Sequence, residues 1–115
     1  MSKKDVKKIL SALDEAEKKV IDAFPERKLI LYFDAVKDCG FGFFEINFSS
    51  NHSQFFDEKR IEILEIIEKV LRKRGIRAFD ADFDGATIGQ CWIVAEIDEN
   101  ADRYVPFSNI LKRKN

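Results

Sequence analysis

The feature that most constrains this chain is a change of hydrophobic period that occurs twice. Residues 3–24 place Val6, Ile9, Leu10, Leu13, Ala16, Val20, Ile21 and Phe24 at three- and four-residue spacing, which makes one apolar stripe on a helix. Beyond Pro25 the period drops toward two, and residues 29–48 read as a hairpin. A second helical pattern fills residues 57–74, and after Gly75 residues 76–98 alternate again. A chain written helix, hairpin, helix, hairpin (αββαββ) folds as α+β, an antiparallel sheet with helices packed on one face. The halves echo each other at a spacing of about 47 residues with negligible identity, so the repeat is one of architecture.

Local signals set the expected boundaries. Ser2 is placed to cap the first helix, with Asp5 three residues on, and Pro25 ends it, because the residue before proline is pushed out of helical geometry. Leu29-Ile30-Leu31-Tyr32-Phe33 is apolar on both faces, which predicts a strand at the centre of the sheet. Asp38-Cys39-Gly40 reads as the turn. On the returning arm Phe44, Ile46 and Phe48 make one face, and Phe43, Glu45 and Asn47 the other. Gly40 and Gly42 flank Phe41 and suit a bulge. Residues 49–54 form a polar loop, the segment expected to move most.

Asp57 is the expected cap of the second helix, with Phe56 stapling its first turn. Ile61, Ile63, Leu64, Ile66, Ile67, Val70 and Leu71 cover more than half its circumference, so burial is expected on more than one side, by the first helix or by a second copy of the chain. Arg72-Lys73-Arg74 suits the negative end of the helix dipole, and Gly75 stops it. Ser108 is expected to cap one last turn, and residues 108–115 read as a basic tail.

The totals fit one domain, residues 1–115, able to bury a core without staples. Eleven Phe among 115 residues imply a core built from rings. A net charge of -1 excludes a generic polyanion binder. Cys39 and Cys91 are expected as reduced thiols. No signal peptide is legible, and the longest apolar run, residues 29–33, is too short to cross a bilayer, so a cytoplasmic protein with no membrane partner is expected.

The second hairpin carries the unusual charge. Residues 78–102 hold seven acids and no Lys or Arg. On its first arm Phe79, Ala81 and Phe83 should point one way and Asp80, Asp82 and Asp84 the other, with Asp84-Gly85 as the turn. If the aromatic side faces the core, Cys91, Ile93, Ala95 and Ile97 are its cross-strand partners. Trp92, Val94 and Glu96 then share the outer face with the three Asp. A Trp ringed by carboxylates has the composition of an interface hot spot for a basic partner. The competing expectation is that Trp92 is covered, by residues 104–107 or by a dimer mate.

Other chemistries find less support. Asp80-Ala81-Asp82-Phe83-Asp84-Gly85 matches the opening of a calcium loop, but position twelve, where a bidentate Glu belongs, is Cys91, and the preceding residues read as a strand. No metal or cofactor is expected. His52, the only histidine, has no nucleophile arranged with it, and no phosphate loop, dinucleotide fingerprint or zinc spacing occurs, so an enzyme is not expected. Nucleic-acid binding would have to use Lys69, Arg72, Lys73, Arg74 and Arg77 at the end of the second helix.

The helix ending at Phe24-Pro25-Glu26, the aromatic hairpin, the helix of residues 57–74 and the acidic hairpin together resemble small bacterial immunity proteins, including the YezG-like group that neutralises polymorphic toxins. The resemblance implies a non-enzymatic inhibitor that binds a basic site of a toxin or nuclease, and it assigns no residue a role. The bet falls on Asp80, Asp82, Asp84, Trp92, Val94 and Glu96. Type III secretion chaperones have a similar order of elements and would imply a homodimer that uses the apolar arc of the second helix. They carry a further C-terminal helix, for which the tail looks too short.

Overall fold

A computed structural model describes residues 1–83 and 89–114. Asp84 and the turn expected at Asp84-Gly85 lie outside the described residues. The chain runs α1 (Lys3–Ala23), β1 (Leu31–Gly40), β2 (Phe43–Ser50), α2 (Ser53–Glu58), α3 (Arg60–Lys73), β3 (Ile76–Phe83), β4 (Gln90–Ile97) and α4 (Phe107–Lys114). Short 3-10 turns at Pro25–Arg27 and Ala101–Arg103 join some of these. The strands form one antiparallel sheet in the order β1-β2-β4-β3, with the helices on one side, an α+β fold.

The long-range pairing of β2 with β4 builds the centre of the sheet. Ile46 lies opposite Ile93, and the interval between them is the spacing that separates the two halves of the sequence. A local pseudo-twofold axis therefore passes through this pair, relating β1–β2 to β3–β4. This arrangement overturns the expectation for residues 29–33: β1 is an edge strand, not the central one. Its apolar run divides between the faces, with Leu29 and Leu31 buried and Ile30 and Tyr32 about half exposed.

The inner face of the sheet supplies half the core. Phe44, Ile46 and Phe48 on β2 and Cys91, Ile93 and Ala95 on β4 are buried under Ile9, Leu13, Ala16 and Val20 of α1 and Ile63, Leu64, Ile67 and Leu71 of α3. Phe48 meets Phe56 edge-on at 5.6 Å. Ser2 caps α1 as expected, its Oγ accepting from the Asp5 amide at 3.1 Å. Leu10, counted in the stripe, is instead 49% exposed. Gly75 ends α3 in the left-handed region at φ 72, where a side chain would be strained.

The second helical pattern is two helices, not one. α2 already begins at Ser53, inside the segment expected as a loop, and the break falls at Lys59, whose backbone is non-helical. Asp57 therefore lies within α2 and caps nothing. The broad arc of α3 is covered within the chain, by α1 on one flank and α4 on the other.

α4 replaces the expected basic tail. Glu68 on α3 is 2% exposed, and its carboxylate accepts from the amides of Phe107 (2.6 Å) and Ser108 (3.0 Å) and from the Ser108 hydroxyl (2.7 Å). A carboxylate on the open amides of a helix start is the favourable geometry for both hydrogen bonding and the dipole. Lys112 adds an ion pair with Glu65. Cys39 is exposed and Cys91 buried, and both are free thiols. Among the described residues no helix is long and apolar enough to cross a membrane.

Candidate partner-binding face

The outer face of the sheet is built by the positions that alternate with the core. On β2 and β4 the inward residues are buried, while Glu45, Asn47, Trp92, Val94 and Glu96 keep partial exposure. The β3–β4 register sets Asp82 opposite Trp92, Asp80 opposite Val94 and Arg77 opposite Glu96. The β2–β4 register sets Asn47, Glu45 and Phe43 against Trp92, Val94 and Glu96 from the other side. Trp92 and Val94 thus form an apolar row with Asp80 and Asp82 along one flank and Glu45 along the other.

A β-bulge changes one part of the expected hairpin. The ladder shifts between Ala78 and Asp80, so Ala78 pairs with Ala95 and faces the core, and Phe79 is the extra residue. Phe79 was expected to face inward with Ala81. Its ring instead meets that of Phe43, an outward residue, edge-on at 5.0 Å. The bulge keeps Ala81 buried and Asp80 and Asp82 exposed, so the acidic side of the strand keeps its orientation. Phe83 pairs opposite Cys91.

The six residues singled out in the sequence are therefore not equivalent. Asp80, Asp82, Trp92 and Val94 come together. Glu96 shares their face but is engaged: its carboxylate pairs with Arg77 at 3.4 Å, and the Arg77 guanidinium lies 3.7 Å from the centre of the Tyr104 ring. Asp84 lies outside the described residues. Tyr104 stacks on Arg77, and Phe107 packs on the core. Phe43, Glu45 and Phe79 join the face and were missed. For Phe43 and Glu45 the signal was the alternation of residues 43–47, which acquires meaning only once β2 is known to pair with β4; for Phe79, placed by the bulge, there was none.

The electrostatics of the face are those of solvated carboxylates around a partly covered indole. Behind it, burial pushes the Cys91 thiol far above its ordinary range, and the nearby charge of Asp82 adds to the shift. Cys91 is thus held protonated, which removes its thiolate chemistry. Among the described residues no three His, Cys, Asp or Glu side chains gather as metal ligands.

The basic end of α3 is largely engaged by the chain itself. Arg72 donates to the carbonyls of Ala101 (3.4 Å), Asp102 (2.7 Å) and Tyr104 (2.8 Å), and Arg74 pairs with Glu15 at 2.7 Å. With Arg77 held by Glu96 and Tyr104, three of the five cations considered for phosphate contacts have internal partners. Comparison with protein-family models, curated proteins and solved structures gave no significant match.

Proposed function

We propose that this chain is a non-enzymatic protein-binding inhibitor of the immunity type, which docks the outer face of its sheet on a basic site of a partner such as a toxin or nuclease. The observation that carries the reading is the row of Trp92 and Val94 flanked by Asp80, Asp82 and Glu45 on the sheet face turned away from the core. A central aromatic supplies affinity when water is excluded around it, and the acidic rim steers a cationic partner into register. The same carboxylates disfavour face-to-face pairing of two copies, because like charges would meet.

The chaperone-like alternative draws on an apolar arc that α1 and α4 already cover. The nucleic-acid alternative draws on arginines already held by carbonyls, Glu15 and Glu96. Neither gains support from the packing. The test is an affinity capture from the native host with the wild-type chain and the Asp80→Lys/Asp82→Lys variant side by side. The reading expects a basic protein that is retained by the first and lost by the second. Equal retention by both would sink it.

A further inference from the structure

The tip of the first hairpin is built in a way that its own fold does not require. β1 runs on to Gly40, through the three residues expected as the turn, so the connection is the two-residue turn Phe41-Gly42. Both residues have positive φ, 55 at Phe41 and 82 at Gly42, the sign combination of a type I′ turn. That turn favours Asn followed by Gly, because a residue with a bulky side chain is strained in the left-handed region. A Cβ placed at Gly42 meets nothing within 4 Å, so its glycine serves the backbone and not a crowded neighbour. Phe41 is strained and also 96% exposed, so its ring gains no burial in return.

The tip borders a patch of apolar side chains edged by acids. A depression of about 350 Å³ beside Phe41 is lined by Met1, Phe43, Phe44 and Ile97 together with the carboxylates of Asp5 and Asp38. Phe43 continues the patch onto the outer face, where it touches Phe79 and stands opposite Glu96 in the β2–β4 ladder. Aromatic exposure at the tip is therefore continuous with the acidic face described above.

We infer that Phe41 is an anchor of the partner interface, inserting into an apolar pocket that the partner surrounds with cationic groups. This rests on the proposed function and adds to it the chemistry of the partner: a concave, apolar recess within a basic surface. Charge selects that occupant. Asp5 lines the depression and Glu45 follows Phe43 on the same face of β2, so they attract a cationic rim and oppose both an anionic bilayer and a second copy of the chain.

The test is Phe41→Asn, which keeps a turn that favours Asn-Gly. In the isolated protein the melting temperature should rise by about 3–5 °C as strain is relieved. Against the partner captured by the wild-type chain, purified and immobilised, dissociation should be at least ten-fold faster with the association rate unchanged. A fall in melting temperature would overturn the inference by giving the ring an internal role. So would Phe41-dependent binding of the wild-type chain to phosphatidylglycerol–phosphatidylcholine vesicles, or self-association that Phe41→Asn abolishes. If Asp80→Lys/Asp82→Lys weakens the complex and Phe41→Asn leaves it unaltered, the tip fails alone. If neither does, the face fails with it.

Discussion

The two faces of the sheet are written in the same strands with opposite consequences. Along β2 and β4 the inward residues Phe44, Ile46, Phe48, Cys91, Ile93 and Ala95 are at most 1% exposed and are packed on by helices. One residue away in each case stand Phe43, Glu45, Asn47, Trp92, Val94 and Glu96, which stay partly or largely exposed and mix rings with carboxylates. Solvation alone would be met by polar residues at these outer positions. Exposed rings are the component of this face that interface cores share. The lesson is that folding energy resides on one side of a single sheet and the candidate recognition chemistry on the other, so substitutions should separate cleanly.

The sharpest break of that separation comes from the inner face. Phe48→Ala removes a ring in contact with Phe33 and Phe56 and should destabilise the chain by ~3–5 kcal/mol, read by urea unfolding. Glu68→Ala should be next, at ~1–3 kcal/mol, because it leaves buried donors at the start of α4 without an acceptor. Hydrogen exchange in α4 should accelerate before the rest of the chain does. Trp92→Ala on the outer face should cost less than about 1.5 kcal/mol of stability yet weaken partner binding by at least about thirty-fold. A loss of stability equal to that of Phe48→Ala would erase the contrast between the faces.

The smallest effect is expected at Glu15. The hydrogen bond from Arg74 holds its carboxyl below the ordinary value of 4.5. A depressed carboxylate adds stability above its unfolded pKa and loses it as pH falls through the folded one. Glu15→Gln should therefore lower the melting temperature slightly at pH 7 and not at all near pH 2, measured by calorimetry at both. Because the pair is exposed, the pH 7 difference should be close to the limit of detection.

Much of the layout was legible because it is local. The stripe of α1, its Ser2 cap and its stop before Pro25 follow from residues within one turn of each other. The alternation of β4 alone puts Trp92 outward, and the register confirms Asp82 opposite it. What failed depends on distance in sequence. The apolar residues 29–33 looked central, but the centre is decided by Ile46 meeting Ile93, which no local pattern records. Phe79 continued a clean alternation, and a bulge of one residue turned it over. Glu68 carries no local signal that sets it apart from the other acids of the helix. It became the clamp for α4 only when Phe107 and Ser108, some forty residues away, were brought to it.

If the outer face binds a basic partner through its acids, association kinetics report it most directly. The rate for Asp80→Lys/Asp82→Lys should be measured against the wild-type chain at roughly 50 and 500 mM NaCl, where screening differs strongly. Association of the variant should be at least about ten-fold slower at low salt, with a smaller difference at high salt and a melting temperature within about 2 °C of wild type. An association rate that the double substitution leaves unchanged at low salt would contradict that mode of binding.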